Sequence, residues 1–276
     1  MQPTFSEIKK AAKSALKHRW PEAIAVSCIL IVTSLLNTYM QYILMSLFKV
    51  GQSWSPFNMA QISVYSQPAS IGITVFSALY GVFITLPLIL GVMRWFWQVT
   101  AGSSASVGEI FCYFSSTKVY FKTLLLSLRL LLRLLIGTVV WFLPFNIVIV
   151  LTSPDLYNML GVAMPMAMEV LYPLLDFLIV LGFALLLFWS TVYILCYTVA
   201  FSEGELSVGK IIRHTAKLSK GFRLNTVGFI LSFSGWLLLS VLAVPIIFTL
   251  PYLLASLCVY GREVYRASRH SEQSAL

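Results

Sequence analysis

Residues 126–145, LSLRLLLRLLIGTVVWFLPF, place Arg129 and Arg133 four residues apart at the start of a long apolar run. After Arg133, the uncharged stretch Leu134–Ser153 is by itself long enough to cross the roughly 30 Å hydrocarbon core of a bilayer. A charge at the centre of a bilayer is costly, so the two arginines mark either an intramembrane site or the place where a membrane span ends. The stretch therefore predicts a transmembrane helix and raises the question of what its arginines do.

The composition also indicates a membrane-embedded chain. Of the 276 residues, 59% are hydrophobic and only 11% are charged, and the mean hydropathy is +0.86. A soluble globular domain carries about 25% charged residues, so this chain lacks the material for a water-soluble surface. Three further uncharged stretches exceed the roughly 20 residues of a membrane span, namely Ala23–Phe48, Val50–Met93 and Leu224–Gly261. The sequence predicts an all-α, polytopic membrane protein.

The lysines and arginines predict the orientation of the spans. All 19 except Lys49 fall before the first span, between the second and third, between the fourth and fifth, or after the last. Basic residues accumulate on the cytoplasmic side of membrane proteins. Six transmembrane helices with both termini in the cytoplasm satisfy this rule. The net charge of +9 then faces anionic lipid headgroups, which is the plainer interpretation for so apolar a chain than binding to nucleic acid.

The last uncharged stretch is too long for one span. Leu224–Gly261 has 38 residues and would measure about 57 Å as a single helix, nearly twice the hydrocarbon thickness. Because both flanks are basic, both ends should be cytoplasmic, so the stretch must fold back. Pro245 and Pro251 predict a tight turn near Ile246–Leu250.

A short internal similarity suggests a repeated organisation within one membrane domain, residues 1–276. The sequence SVGEI at 106–110 matches SVGKI at 207–211, and each opens an amphipathic stretch that leads into two spans. The N-terminal FSEIKKAAKSALKHRW has the same character. We predict three units, 5–99, 106–200 and 207–266, each with a cytoplasmic amphipathic surface helix followed by a transmembrane hairpin.

The third unit carries the most distinctive residues, HTAKLSKGFRLNTVGFILSFSGW followed by PYLLASLCVY. These segments resemble a bacterial family of integral membrane proteins catalogued as domain of unknown function 975, found largely in Gram-positive organisms. The matching positions in this unit are Leu218, Gly221, Arg223, Leu231, Ser232, Phe233, Gly235, Trp236, Pro251, Tyr252, Ala255 and Tyr260. Those earlier in the chain are Lys9, Lys13, Leu16, Trp20, Pro87, Leu88, Gly91, Arg94, Phe111 and Phe114.

The resemblance implies six spans in the plasma membrane of a bacterium, and it assigns no activity. The chain departs from the family in one place. The family usually has a compact proline-glycine turn after the third span, whereas this chain continues through LTSPDLYNMLGVAMPMAMEVLYPLLD at 151–176. The shape of the predicted external loop, 153–176, is therefore left open.

Four basic residues at the start of the third span allow two interpretations. Lys118, Lys122, Arg129 and Arg133 are spaced so that they share one side of a helix. In the first interpretation, residues 118–133 begin the third helix at the cytoplasmic headgroup layer and the arginines reach lipid phosphates. In the second, the arginines form an intramembrane basic groove that binds an anionic ligand. The apolar residues after Arg133 can cross the bilayer by themselves, so the first interpretation needs no ligand. Both interpretations stay open.

Ser232, Ser234, Gly235 and Trp236 lie deep in the predicted fifth span. Trp236 is 13 residues past Arg223, about 20 Å along a helix, and so below the interfacial belt where tryptophan is usually found. The small residues predict close packing of a neighbouring helix, with Trp236 filling the adjoining gap. Alternatively, Trp236 meets a lipid-like ligand in a lateral cleft.

Two further groups of side chains are candidate ligands for ions. Asp176 and Glu169, near the outer end of the predicted fourth span, either form a proton or cation site or line a hydrated mouth. Met164, Met166 and Met168 carry thioethers that suit Cu(I), but no histidine or cysteine lies beside them. We predict no metal site and no cofactor.

The sequence contains no HExxH, Walker or GxSxG motif and no carboxylate pair clustered within a span. We therefore expect a non-enzymatic role, as an accessory or scaffold protein that contacts anionic headgroups of the phospholipid bilayer and a membrane protein partner. The alternative is a transporter or exporter of a lipid-like or amphipathic small molecule. Its route would be lined by Trp236, Arg129, Arg133 and Asp176.

Overall fold

The computed structural model describes residues 4–48, 68–152, 159, 171–202, 207–240 and 245–273, which are helical apart from short turns and contain no strand. We number the α-helices α1 to α10 in chain order. Their bounds are Phe5–Leu16, Trp20–Leu47, Pro68–Tyr80, Leu86–Thr100, Thr117–Thr152, Leu171–Ser202, Val208–Leu218, Arg223–Leu231, Ser234–Leu239 and Ile246–Gln273. A π-helical segment, Gly81–Thr85, joins α3 to α4, and 3-10 helices occupy Val107–Phe114 and Ser219–Gly221.

Four helical stretches are long and apolar enough to cross a membrane: Trp20–Leu47, Pro68–Thr100, Thr117–Leu151 and Pro173–Ser202. They carry many exposed large apolar side chains, which soluble proteins rarely display over such areas. These helices are compatible with a membrane location. The predicted all-helical fold is confirmed, and the basic residues at 118–133 lie, as expected, within one continuous helix, α5, with the apolar stretch that follows them.

Helix ends follow from local sequence. Thr4 caps α1 by accepting from the Glu7 amide, while the Glu7 carboxylate accepts from the Thr4 amide at 2.7 Å. At the end of α4, Gly102 adopts a φ of +84°, and the amides of Gly102 and Ser103 donate to the carbonyls of Val99 and Gln98. This is the Schellman arrangement, in which a residue with positive φ follows the helix, and glycine adopts it without strain.

The described residues fall into two compact units. The first comprises those within Met1–Leu128 and Phe233–Leu276. Here α1 and α4 both pack on α10, and α4 also packs closely on the 3-10 helix Val107–Phe114. The core contains Trp95 and Phe96, which are fully buried with their rings edge to face at 5.0 Å.

The second unit comprises the described residues within Arg129–Ser232, and α6 contacts both α7 and α8 in it. Aromatic rings join α5 to α6. The rings of Trp141 and Trp189 lie 6.4 Å apart, and those of Phe142 and Phe183 lie 5.1 Å apart. A methyl group at Gly137 would lie 2.8 Å from the Trp189 ring, so this position admits the indole only because it is glycine.

The last uncharged stretch differs from the prediction. The turn expected at Ile246–Leu250 is wrong, because these residues form the first turns of α10. Pro245 precedes the helix, and its carbonyl accepts from Phe248 and Thr249. Pro251 lies inside the helix, in its second turn, and the helix continues through it without a break. Within the described part of this stretch, 224–240 and 245–261, helical structure is interrupted at Ser232–Phe233, between α8 and α9.

The proposed repeat takes two different local forms. The SVGEI stretch begins a 3-10 helix, whereas the SVGKI stretch begins α7. The division into units 5–99, 106–200 and 207–266 stays a prediction. Most of the predicted external loop lies outside the described residues, which include only Met159 and 171–176 of it.

Candidate functional site

One face of α5 carries Arg129 and Arg133. Arg129, Leu132 and Arg133 follow a helical spacing of three and four residues, so they share a face, and all three are exposed. Leu134–Thr152 continues the helix for 19 residues, about 28 Å, without another charge. The arginines therefore lie one hydrocarbon thickness away from the far end of α5.

Helix α7 presents a matching face. Its apolar side, which includes Val208, Ile211 and Leu218, is buried, and α7 packs on α6. The Thr215 hydroxyl is buried on the same side and donates to the Ile211 carbonyl at 2.8 Å. This packing fixes the rotation of α7 and leaves Arg213 exposed.

The two faces enclose a cleft of about 550 Å³. Ligand sites commonly have volumes of about 300–1,000 Å³. Gly209 lies beside Arg129 across the cleft, since a methyl group at Gly209 would be in van der Waals contact with the Arg129 Nη1 atom, at 3.9 Å. We call this space the arginine cleft. Its principal lining residues are Arg129, Leu132, Arg133, Gly209, Arg213 and Ala216.

The charge of the arginine cleft is strongly positive. Guanidinium groups stay protonated in proteins, so Arg129, Arg133 and Arg213 contribute three positive charges at any working pH. In the part of this unit that the structure describes, Asp176 is the only acidic residue. No ion pair joins a described carboxylate to any of the three arginines.

Asp176 is not part of this cleft. It is exposed on α6 and is not among the residues lining the cleft. The proposed role of Asp176 as a ligand contact stays a prediction, as does the cation site with Glu169, which lies outside the described residues. Met164, Met166 and Met168 also lie outside them. Within the described part of the chain, no group of three His, Cys, Asp or Glu side chains is close enough to hold a metal.

Trp236 belongs to an aromatic cluster in the first unit. Its ring lies 6.3 Å from that of Tyr252, which lies 5.6 Å from the buried ring of Phe233. The Lys9 Nζ atom sits 4.2 Å from the Phe233 centroid, and burial lowers the pKa of this amine. Trp236 itself is half exposed, so it remains accessible to a ligand. Its roles in packing and in ligand contact both stay predictions.

The predicted packing residues are distributed around the interruption between α8 and α9. The Ser232 hydroxyl donates to the carbonyl of Phe229, while Ser234 and Gly235 begin α9 and are exposed. A methyl group at Gly235 would meet no described atom within 4 Å. The described residues thus show open space at Gly235, and the packing hypothesis for this segment stays untested.

Other basic residues have structural partners. In the first unit, Arg262 donates to the carbonyls of Trp97 and Thr100 at 2.7 and 2.8 Å. The central carbon of its guanidinium lies 4.6 Å from the centroid of the Trp97 ring. Arg19 donates to the carbonyls of Ser103 and Ala105. Both arginines thereby satisfy carbonyls at and beyond the end of α4, where a helix carries partial negative charge. They contrast with the cleft arginines, whose charges have no described acidic partner.

Comparison with known proteins identifies the family. The model of the family described as "Protein of unknown function (DUF975)" matches residues 1–268. The chain belongs to the DUF975 family. This confirms the resemblance found in the sequence and extends it over nearly the whole chain. No curated protein and no solved structure matches it.

Sequence reasoning on this DUF975 chain missed Gly209 and Arg213 as site residues. The available indication was that both lie on the same face of the SVGKI helix, four residues apart, as Arg129 and Arg133 do on α5. The corresponding positions in the SVGEI segment, 101 residues earlier, are Gly108 and Cys112. A positive charge at this position is therefore specific to the second of the two matched segments.

Proposed function

We propose that this DUF975 protein is a six-span protein of a bacterial plasma membrane, of Gram-positive type, with both termini in the cytoplasm. In this proposal it acts as a non-enzymatic accessory or scaffold protein. Its basic inner surface contacts anionic phospholipid headgroups while its apolar helices offer contacts to a membrane protein partner. The four long helices supply the first four spans, the stretch from Leu224 supplies the fifth, and α10 supplies the sixth.

The basic surface has the features that a headgroup contact requires. α1 buries Ile8, Ala12 and Leu16 against the protein and exposes Lys13, and Lys17 is exposed just after its end, so basic side chains are available to headgroups. α7 likewise buries one face and exposes basic side chains on the other. The observation that carries the proposal is the arginine cleft, because three positive charges without a described acidic partner favour a negatively charged neighbour.

The test is to identify what co-purifies with the full-length protein in a mild detergent. We expect anionic phospholipids to be enriched over zwitterionic ones relative to the membrane from which the protein was extracted, together with a specific membrane protein. A lipid composition equal to that of the source membrane would refute the lipid contact. The recovery of no protein above the level seen with an unrelated polytopic protein would refute the scaffold role.

Two irregular segments favour transport of a lipid-like molecule as a second candidate. The π-helical segment Gly81–Thr85 lies in the middle of the second candidate span, and helical structure breaks at Ser232–Phe233. π-bulges occur frequently at functional sites, and discontinuous helices are typical of transporters. Transfer of a labelled lipid between the leaflets of proteoliposomes distinguishes the candidates, since a scaffold protein should leave the transfer rate at that of empty vesicles.

A further inference from the structure

The arginine cleft has a geometry suited to one chemical group. Arg129 and Arg133 reach it from α5, and Arg213 reaches it from α7. A guanidinium is planar and presents paired N–H donors that match two oxygens of a phosphate. Arginines on two different helices can therefore bind one phosphate from two sides, which lysines spread over a surface cannot do with the same geometry.

The surroundings of the cleft favour a phosphate that is attached to acyl chains. Beyond Arg133, α5 exposes Ile136, Val139 and Val140, which are 55%, 65% and 53% exposed. These side chains form an apolar strip that leads directly away from the cleft along the helix. A headgroup bound by the arginines would place its acyl chains along this strip, where they bury apolar surface. A free phosphate ion would gain nothing from it.

The position of the cleft along α5 agrees with this arrangement. The uncharged part of the helix after Arg133 measures about 28 Å, close to the thickness of the hydrocarbon core. In the topology proposed above, that length places the arginines at the cytoplasmic headgroup layer. A lipid in the inner leaflet would then present its phosphate at the depth of the cleft.

We infer that the arginine cleft is a binding site for the phosphate of an anionic phospholipid. The inference rests on the proposed function and assigns its lipid contact to one place and one headgroup chemistry. Because three positive charges face the cleft, a phosphomonoester headgroup, which carries about −1.5 to −2, should bind more tightly than a singly charged phosphodiester. A zwitterionic headgroup should bind most weakly.

The test uses the full-length protein in a mild detergent. A short-chain fluorescent phosphatidylglycerol serves as the probe, and its binding is followed by fluorescence anisotropy. Unlabelled phosphatidic acid, phosphatidylglycerol, phosphatidylcholine and inorganic phosphate serve as competitors. For the wild-type protein we expect phosphatidic acid to compete best, phosphatidylcholine to compete at least tenfold less well than phosphatidylglycerol, and inorganic phosphate to compete at least a hundredfold less well.

Two variants address the cleft by different means. Arg213→Ala removes one of the three charges, and the loss of a charge-assisted contact should weaken probe binding about tenfold. Gly209→Leu keeps every charge but fills the space beside Arg129, so it should weaken binding by a similar factor. Leucine is a much better helix former than glycine, and position 209 lies within the first turn of α7, so this variant should fold.

Lys217→Ala provides the matched control. Lys217 is an exposed basic residue on the same helix, and it is not among the residues lining the cleft. The substitution removes the same charge from the same helix, and we expect it to change probe affinity by less than twofold. Arg213→Lys, which retains the charge but loses the planar fork, should give an intermediate loss.

The outcomes separate the cleft from the general proposal. If Arg213→Ala and Lys217→Ala weaken binding equally while the wild type still prefers anionic lipid, the cleft is not the site, but the proposed lipid contact stands. If Gly209→Leu binds like the wild type, the phosphate does not enter the cleft. Equal competition by inorganic phosphate would overturn the assignment to lipid. A wild type with no preference for anionic lipid would refute the proposed function as well.

Discussion

The contact between α4 and the 3-10 helix Val107–Phe114 depends on one missing side chain. A methyl group at Gly91 would overlap the carbonyl oxygen of Ile110 and would lie 2.8 Å from its carbonyl carbon and 3.2 Å from its Cα atom. Carbon atoms pack at about 3.5–4.0 Å and the overlap with the oxygen is larger still, so the Gly91→Ala variant must move the 3-10 helix by more than about 1 Å. The obstacle is backbone, which cannot rotate away as a side chain can.

The expected magnitude follows from two opposing effects. Overpacking of this kind costs typically 1–3 kcal/mol, and a backbone obstacle places Gly91→Ala at about 3 kcal/mol. Replacing a helical glycine by alanine returns up to about 1 kcal/mol of helix propensity. We therefore expect Gly91→Ala to lower the free energy of unfolding by about 2 kcal/mol.

The matched control is Gly72→Ala in α3, where an added methyl group meets no described atom within 4 Å. This variant should show only the gain in propensity and be about 0.5–1 kcal/mol more stable than the wild type. Both variants can be measured in mild detergent by far-ultraviolet circular dichroism as a denaturing detergent is added. Hydrogen exchange should also become faster in Val107–Phe114 for Gly91→Ala alone. Equal stability of the two alanine variants would refute the argument from close packing.

Three further predictions concern helix ends and topology. Arg262→Ala should cost about 2 kcal/mol, because it removes two charge-assisted bonds to α4 carbonyls. Arg266→Ala, which breaks only an exposed pair with Glu263, should cost no more than about 0.5 kcal/mol in the same unfolding assay. The hydrogen bond from the Thr4 amide lowers the pKa of Glu7 below its usual 4.5. The stability that ionised Glu7 adds is therefore present above pH 4.5 and is lost as the pH falls through the folded-state pKa. The difference in thermal midpoint between the wild type and Glu7→Gln should disappear over that pH range. A tag at the C-terminus should be protected from protease in intact cells and cleaved after lysis, and cleavage in intact cells would contradict the proposed topology.

The helical class of this protein could be predicted from the sequence because it depends on quantities that are local to the chain. Leu134–Thr152 is apolar for long enough to cross a bilayer, and this alone predicts the helix that the structure contains. The prediction of a turn at Ile246–Leu250 was wrong for an equally local reason. In the sequence, a proline pair six residues apart favours a turn, but the helix continues through Pro251 despite the hydrogen bond that this proline removes.

The close contact between α4 and the 3-10 helix Val107–Phe114 could not be predicted from the sequence. Gly91 is one of several glycines in apolar stretches, and its match to the family does not show whether a neighbour approaches it; at Gly72 the space is open. The difference lies in the carbonyl of Ile110, which a different element brings to Gly91. Sequence can identify a glycine as a place where a close approach is allowed, but only tertiary structure shows whether the approach occurs.

The same distinction decides what the basic residues do. Arg19, Arg262 and Arg213 look alike in the sequence, as members of basic groups flanking apolar stretches. The first two are bound to carbonyls at the end of α4, so their charge serves the fold. Arg213 is directed into the arginine cleft because the opposite face of its helix is buried, and that face can be identified from the apolar spacing of α7. Its meeting with Arg129, 84 residues earlier, cannot be read from either segment alone, since it depends on how α5 and α7 are held beside α6. Positive charge on the inner side of a membrane protein therefore predicts orientation, whereas a binding site requires that the charges converge and that no carbonyl or carboxylate of the protein already satisfies them.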